Sequence, residues 1–123
     1  MALKKTQFEH LSDIFGDRLI TAKHELYLQS SDVGSLPKWV GLMMNLKADA
    51  IVQPISTEEV RSLYKFANKE KVPLVPRGAG TSGYGGAIPR KGGITVDMRR
   101  MDNILSVDEE NMTVTVEPGI SWT

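Results

Sequence analysis

The first helical pattern in the chain lies between Thr6 and Gly16. Apolar residues recur there at intervals of three and four, which places them on one face of an α-helix. Thr6 and Glu9 have the spacing of a capping box, and glycine commonly ends a helix. We therefore predict a helix between Thr6 and Gly16. Residues 19–28 are ambiguous, and residues 30–37 have the composition of a loop.

A second helical pattern, from Thr57 to Glu70, lies between two short apolar runs. Ser56 and Glu59 again have capping-box spacing. Residues 50–54 and 72–75 are predicted to be short buried strands. The region therefore predicts a β-α-β unit, whose crossover we expect to be parallel and right-handed. The apolar face of the helix is predicted to comprise Val60, Leu63, Tyr64 and Ala67.

The pattern that follows predicts strands and one helical turn. A third strand covers residues 94–98, and a helical turn follows at residues 99–103. Residues 104–108 and 112–117 alternate between apolar and polar around a polar turn at residues 109–111, as in a β-hairpin. Together these elements predict a small sheet with helices packed beside it.

Composition limits the classes of protein that remain. The chain has 123 residues, of which 41% are apolar, enough for a hydrophobic core, and no apolar run reaches membrane-spanning length. The formal net charge is zero, which gives no sign of a nucleic-acid partner. There is no cysteine, which excludes disulfides, thiolate metal sites and cysteine-linked cofactors. The first residues show no signal-peptide pattern, and we expect a cytoplasmic protein.

The most informative stretch, residues 75–89, is a glycine-rich loop. Half of the ten residues from Arg77 to Gly86 are glycine, and each costs conformational entropy when it is ordered. Glycine allows backbone N–H groups to crowd around an anion in a nest that a Cβ atom would obstruct. The loop leaves the carboxyl end of the predicted strand 72–75, where ligands of open α/β sheets bind. We therefore expect it to bind a phosphate or a diphosphate.

Two common phosphate-binding motifs do not fit this loop. Residues 78–83 match G-x-G-x-x-G, but a Rossmann site requires a helix to begin inside the motif. Residues 84–89 contain two more glycines and a proline, and they cannot form a good helix. A P-loop requires Gly-Lys followed by Ser or Thr, which is absent. With both motifs excluded, the remaining interpretation is an irregular phosphate-binding loop between two parallel strands, with hydroxyl groups at Thr81 and Ser82.

Four motifs together resemble one family. They are Pro54-x-Ser-Thr-Glu-Glu-Val60, the stretch from Pro73 to Ser82, Gly92-Gly-Ile-Thr-Val-Asp-Met98, and Val116-Glu-Pro-Gly119. In this order and spacing they resemble the FAD-linked oxidases of the p-cresol methylhydroxylase and vanillyl-alcohol oxidase type. Within it, the chain is most similar to the branch of D-lactate dehydrogenases and glycolate oxidase subunits. The resemblance runs from about Tyr27 to the last residue.

The resemblance implies an α+β fold with a defined division of the chain. Residues 1–48 would be a helical lead-in, and residues 49–108 the first subdomain of an FAD-binding domain, a small parallel β-α-β sheet flanked by helices. Residues 109–123 would begin a truncated second subdomain, and the flavin would lie between the two. In the family the residues that perform the chemistry come later in the chain. We therefore expect an N-terminal fragment of a longer protein, inactive alone, with no catalytic residue of its own.

The resemblance also implies a set of cofactor-binding residues. The N–H groups of Arg77 to Gly83 would bond the phosphate oxygens, helped by the hydroxyl groups of Thr81 and Ser82. Near the end of the chain, Pro118 and Gly119 match a segment close to the adenine or ribose, although a strand end with a turn explains them equally well. The implied set is Pro76, Arg77, Gly78, Ala79, Gly80, Thr81, Ser82, Gly83, Tyr84, Gly85, Gly86, Pro118 and Gly119.

Two side chains of the loop have two interpretations each. Arg77 either adds positive charge to the site or is solvated at the edge of the loop. Tyr84 either stacks on the flavin or ribose, or covers the loop as an aromatic lid. Some members of the family attach flavin through a histidine or cysteine in or near this loop. Here Tyr84 and Gly85 stand at such positions, so the implied FAD is non-covalent.

The reaction implied for the longer protein is oxidation of a small 2-hydroxy acid, of the D-lactate or glycolate kind, by hydride transfer to FAD. Two alternatives stay open. One is a non-catalytic chain that forms a homodimer through an exposed sheet edge. The other is a flavin reductase of the UDP-N-acetylenolpyruvylglucosamine type, because a fold does not fix its chemistry. His10 and His24 are isolated, so no metal site is predicted.

Overall fold

The computed structural model describes residues 3–34, 39 and 46–121, and it has the α+β fold that the sequence predicts. Two 3₁₀ turns, Gly16–Arg18 and Met98–Arg100, join regular elements. In chain order the elements are α1 (Lys5–Phe15), β1 (Leu19–Ile20), α2 (Lys23–Leu28), β2 (Ala50–Val52), α3 (Thr57–Glu70), β3 (Leu74–Arg77), β4 (Ile94–Asp97), β5 (Ile104–Asp108) and β6 (Thr113–Val116).

The main sheet has four strands in the order β1-β2-β4-β3. Strands β2 and β3 both pair in parallel with β4, and β1 pairs antiparallel with β2. The predicted β-α-β unit therefore exists, but its two strands are not neighbours, because β4 lies between them. All four residues of β4 are buried, as expected for a central parallel strand. The carboxyl ends of β2, β3 and β4 meet at one edge of this sheet.

One hydrophobic cluster joins the helices to the sheet. Helix α1 contributes Leu11 and Phe15, and α3 contributes Leu63, Phe66 and Ala67. The predicted apolar face of α3 was wrong at one position, because Tyr64 is 48% exposed and Phe66 is buried instead. Residues 63, 66 and 67 follow the three-and-four spacing of a single stripe, and position 64 lies at its margin. From the sheet, Val52, Ile94 and Val96 complete the cluster together with Val72.

The N-terminus of α3 was predicted correctly in its bounds and in its cap. The Ser56 hydroxyl accepts a hydrogen bond from the Glu59 backbone N–H at 3.2 Å. The Glu59 side chain does not complete a capping box with Ser56. It accepts two hydrogen bonds from the Arg18 guanidinium, at 2.6 and 2.7 Å, and one from the Ile55 N–H. The hydrogen bonds from Arg18 lower the pKa of Glu59 despite its partial burial.

Helix α1 begins one residue earlier than predicted. Its N-cap is Lys4, and the Gln7 side chain accepts the Lys4 backbone N–H at 2.8 Å. The predicted capping box of Thr6 and Glu9 is therefore wrong. The ambiguous residues 19–28 contain β1 and α2, two elements too short for a clear periodicity. Of the predicted loop at residues 30–37, residues 35–37 lie outside the described part of the chain.

The predicted hairpin is confirmed as the two-stranded sheet β5–β6. Strand β3 is shifted to Leu74–Arg77 from the predicted residues 72–75, and the predicted helical turn is the 3₁₀ turn Met98–Arg100. Every residue of β5 is exposed, including Leu105 and Val107 at 61% and 66%. The predicted subdomain boundary between residues 108 and 109 falls in the turn of this hairpin, and the division itself stays a prediction. In the described part of the chain, no helix is long and apolar enough to cross a bilayer.

Replacing Leu63 with alanine should lower the free energy of unfolding by about 2–5 kcal/mol, because a fully buried side chain leaves a cavity behind. Tyr64→Ala, one position along the same helix, should change it by less than about 1 kcal/mol. Urea denaturation of both variants measures the difference. Equal losses would contradict the orientation of α3 described above.

Candidate functional site

The glycine-rich loop connects two neighbouring parallel strands. It leaves β3 after Arg77 at the carboxyl edge of the sheet and enters β4 through Gly92 and Gly93 at the amino-terminal edge. This is the irregular loop between parallel strands that the sequence predicts. Its first residues lie at the edge where ligands of parallel sheets bind.

The backbone N–H groups of the loop are largely available to a ligand. Among the described residues, no protein acceptor takes a hydrogen bond from the N–H groups of Gly78 through Gly83. Most of these residues are solvent-exposed, and Gly80 and Gly85 have φ angles of +74° and +75°. A left-handed residue next to a right-handed one can turn successive N–H groups toward one side, as in an anion nest, and the positive φ of Gly80 is compatible with such a nest.

Contacts among the described residues do not explain two glycines of the loop. A Cβ atom added at Gly78 or Gly83 would meet no described atom within 4 Å, and neither residue has a positive φ. At Gly80, by contrast, an added Cβ would overlap the Arg77 guanidinium, and the positive φ itself favours glycine. A ligand lying against the backbone would account for the absence of a side chain at positions 78 and 83. The backbone of the loop therefore leaves a space that side chains at these two positions would fill.

Arg77 is not the solvated side chain that one interpretation described. Its Nη1 donates a hydrogen bond to the Ser31 carbonyl oxygen at 2.8 Å, and its guanidinium lies against Gly80. The positive charge is thus held at the base of the loop. In the same loop Thr81 and Ser82 are exposed, and the Ser82 hydroxyl accepts a long hydrogen bond of 3.4 Å from the Tyr84 N–H.

Tyr84 does not cover the loop. Its side chain is 99% exposed, so the interpretation as an aromatic lid is wrong. The ring projects into solvent from the part of the loop between Gly83 and Gly85. A role in stacking on a ligand stays a prediction.

Pro118 and Gly119 follow β6, and Gly119 lies against the 3₁₀ turn at the end of β4. The Gly119 N–H donates to the Met101 carbonyl oxygen at 2.7 Å. An added Cβ at Gly119 would overlap the Met98 carbonyl oxygen, so the fold itself requires glycine there. Within the described residues no hydrogen bond joins Gly119 to the glycine loop. The structure therefore supports the strand-end interpretation of this pair, and a ligand contact there stays a prediction.

A cleft of about 550 Å³ opens beside the loop, between β3 and the returning residues 85–92. Its volume is in the range of small-molecule sites. Arg90 and Lys91 contribute two cationic side chains to its lining, next to Gly85 and Gly86. The glycine loop thus borders a cavity with positive charge.

Sequence reasoning missed the residues that hold the loop in place. The segment Ser31–Gly34 lies against the loop and forms hydrogen bonds along it, including one from the Gly85 N–H to the Asp32 carboxylate at 2.7 Å. These two residues are 53 positions apart in the chain. No local pattern could have indicated the contact.

Asp97, the last residue of β4, has hydrogen-bond partners far beyond its own turn. Its carboxylate is fully buried and does accept the Arg99 backbone N–H, but it also accepts Gln53 Nε2 at 2.9 Å and Gln29 Nε2 at 3.2 Å. Arg99 adds two side-chain hydrogen bonds, at 2.9 and 2.7 Å. Burial opposes ionisation, but the hydrogen bonds from Arg99 and Gln53 outweigh it and lower the pKa of Asp97. Asp97 pairs in register with Arg77, at the start of the loop.

The site thus consists of a parallel α+β sheet with a row of available N–H groups in the loop that leaves its carboxyl edge. The sequence profile described as FAD binding domain matches residues 48–123 of the chain. The chain therefore belongs to the FAD binding domain family, which confirms the resemblance carried by the four motifs.

Its curated relatives include a glycolate oxidase subunit and several D-lactate dehydrogenases. The chain is 42% identical over 72 residues to glycolate oxidase subunit GlcD of Bacillus subtilis, an alignment covering 58% of this chain and 15% of that protein. It is 37% identical over 118 residues to the mitochondrial D-lactate dehydrogenase [cytochrome] of Arabidopsis thaliana, covering 96% of this chain and 20% of that protein. The chain thus spans a fifth or less of the length of these two relatives.

Solved structures share the fold. Alkyldihydroxyacetonephosphate synthase superposes with a TM-score of 0.81 at 28% identity, over 96% of this chain and 25% of that one. Substrate-bound p-cresol methylhydroxylase superposes with a TM-score of 0.79 at 22% identity, over 97% of this chain and 24% of that one. The second likeness concerns the fold alone.

Replacing Asp97 with asparagine should lower the free energy of unfolding at pH 7 by about 1–3 kcal/mol. The reason is that Arg99 loses the buried carboxylate with which it forms an ion pair. The folded-state pKa of Asp97 is lowered, so its contribution is complete above the ordinary aspartate pKa of about 4 and is lost as the pH falls through the folded-state value. The unfolding curves of wild type and Asp97→Asn should therefore converge in acid.

Asp108→Asn is the matched control for this measurement. The pKa of Asp108 is also lowered, by hydrogen bonds from Asn111, but this carboxylate is exposed in the hairpin turn. Solvent weakens the hydrogen bonds of this exposed carboxylate, so the substitution should change the pH dependence of unfolding in the same direction as Asp97→Asn but by less. A difference between Asp97→Asn and wild type that stays constant down to pH 2 would contradict the lowered pKa of Asp97.

Proposed function

We propose that the chain binds FAD and that its glycine loop holds the diphosphate of that cofactor. The observation that carries this proposal is the pair Gly78 and Gly83, where bare backbone faces open space and the N–H groups donate to no protein acceptor in the described residues. A diphosphate lying against this backbone explains why both positions are glycine. Membership of the FAD binding domain family supports the choice of cofactor.

The chain supplies binding and orientation in this proposal. The N–H groups of Gly78 to Gly83 bond the phosphate oxygens, and the hydroxyl groups of Thr81 and Ser82 add donors. Oriented peptide dipoles carry most of the stabilisation of the anion, because the loop contains no lysine. Arg77 adds one positive charge at the base of the loop, where it is held by Ser31. We propose that the FAD is bound non-covalently, since residues 76–86 contain no histidine or cysteine.

For the longer protein we propose oxidation of a small 2-hydroxy acid. When bound, FAD supplies the acceptor for a hydride from the substrate carbon. Support comes from the names of the relatives, glycolate oxidase subunit and D-lactate dehydrogenase. We propose that the substrate-binding residues and the base that takes the hydroxyl proton come from the rest of that protein, and that the 123-residue chain has no oxidase activity alone.

Self-association of the chain is a second candidate, and the hairpin β5–β6 favours it. Ile104, Leu105, Val107 and Met112 are each more than 60% exposed on this hairpin. Exposed apolar side chains on an open strand pair favour pairing with another strand. Sedimentation of the purified chain distinguishes a homodimer from a monomer.

Replacing Gly78 or Gly83 with alanine should weaken FAD and ADP binding at least about tenfold, the effect of losing one good contact to the diphosphate. Neither new methyl group touches a described residue, so the free energy of unfolding should change by less than about 1 kcal/mol. Calorimetric titration of wild type and both variants tests this, with urea denaturation as the check on folding.

Riboflavin, which has no phosphate, is the matched ligand for this titration. Its affinity should be lower than that of FAD and insensitive to both substitutions. Unchanged affinity of the two variants for FAD and ADP would contradict the role of the loop. No binding of either ligand to the wild type would contradict the proposal that this chain alone forms the diphosphate site.

A further inference from the structure

We infer that the segment Ser31–Gly34 is a clamp that sets the shape of the glycine loop, and that Asp32 is its positioning residue. The inference rests on the proposed function, because it assigns these residues to the diphosphate site. It names a part of the site that lies outside the glycine-rich sequence. None of these four residues belongs to the predicted binding set.

The clamp contacts the loop from its beginning to its end. The Ser31 carbonyl oxygen accepts Arg77 Nη1 at 2.8 Å, and Asp32 Oδ2 accepts the Gly85 N–H at 2.7 Å. Between these two contacts, N–H groups of the clamp donate hydrogen bonds to carbonyl oxygens of the loop. The Val33 N–H donates to the Gly80 carbonyl oxygen at 3.2 Å, and the Gly34 N–H donates to the Ser82 carbonyl oxygen at 3.4 Å.

These contacts determine where the loop N–H groups point. In a trans peptide the carbonyl and the N–H of the next residue point in opposite directions. All described peptide bonds are trans. Because the carbonyl groups of Gly80 and Ser82 are bonded to the clamp, the N–H groups of Thr81 and Gly83 point away from it. The clamp thus aims two donors at the open side of the loop, where a diphosphate would lie.

The clamp lies directly on the loop backbone. A Cβ atom added at Gly34 would overlap the Gly83 carbonyl group, so no other residue fits at this position without displacement of the loop. The hydrogen bonds therefore join two backbones in van der Waals contact.

A buried anchor fixes the start of the clamp. Gln29, two residues before Ser31, is only 6% exposed and donates a hydrogen bond to Asp97 at 3.2 Å. Asp97 pairs in register with Arg77, the residue from which the loop departs. Clamp and loop are therefore attached to the same end of the sheet, which keeps their relative position constant.

The carboxylate of Asp32 acts by hydrogen-bond geometry and not by charge. Its Oδ1 is buried without a hydrogen-bond partner among the described residues, which costs stability. A negative charge near the loop also repels a diphosphate. An asparagine keeps an oxygen that accepts the Gly85 N–H and removes the charge. Rescue by asparagine is therefore the signature of a positioning role.

The test compares Asp32→Ala, Asp32→Asn and Asp49→Ala in the 123-residue chain. Asp49 is a matched control, because its Oδ2 accepts a glycine N–H, that of Gly93, at 2.9 Å at the opposite, amino-terminal edge of the sheet. Two quantities are measured: amide hydrogen exchange at Gly85 and Gly93, and the affinity for ADP and FAD by calorimetry.

We expect Asp32→Ala to accelerate exchange at Gly85 and to weaken ADP and FAD binding at least about tenfold. Asp32→Asn should keep the affinity within about threefold of the wild type or raise it. Asp49→Ala should accelerate exchange at Gly93 and leave the affinity unchanged, even where it lowers the free energy of unfolding. This pattern separates positioning of the loop from a general loss of stability.

Two results would overturn the clamp. One is exchange at Gly85 that Asp32→Ala leaves unchanged. The other is ligand binding that Asp32→Ala and Asp49→Ala weaken equally. A wild-type chain that binds neither ADP nor FAD would instead overturn the proposed function, together with the ligand-binding role of Asp32. Exchange at Gly85 in Asp32→Ala would then still decide whether the segment holds the loop.

Discussion

The carboxylate of Asp97, buried at the end of the central strand β4, accepts hydrogen bonds from three separate segments of the chain. Gln29 follows α2, Gln53 follows β2, and Arg99 lies in the turn after β4. A buried charge is tolerated only where such partners converge, so the carboxyl edge of the sheet has one favourable arrangement. The start of the glycine loop and the anchor of the Ser31–Gly34 clamp both depend on that arrangement.

The proposed diphosphate site lies in a chain of zero net charge and must therefore rely on local fields. Arg77 is the only cationic residue between residues 76 and 86, so the peptide groups of the loop provide most of the positive potential. Peptide dipoles attract an anion strongly only when they are oriented before it arrives, because ordering a free glycine loop costs entropy. The contacts to the clamp remove much of that cost, which explains why a loop with five glycines is held along its length.

Local pattern predicted most of the fold. The bounds of α3 and its Ser56 cap follow from side-chain chemistry within a few residues, and the hairpin β5–β6 follows from alternation around a polar turn. The errors arose where partners are distant. Tyr64 was placed in the core and Phe66 was not, because the orientation of a helix depends on what packs against it. The side chain of Glu59 binds Arg18 instead of its own helix terminus for the same reason.

The sequence by itself determined the family, through four motifs in order, and it predicted an anion nest from a glycine run after a buried strand. Only the tertiary structure decided that β4 lies between the strands of the β-α-β unit and that Ser31–Gly34 lies on the loop. Composition and periodicity depend on the secondary-structure preferences of residues that are close together in the sequence. The position of a strand within a sheet, or the bond between Asp32 and Gly85, is set by burial and hydrogen bonding between distant segments, which leave no local trace in the sequence.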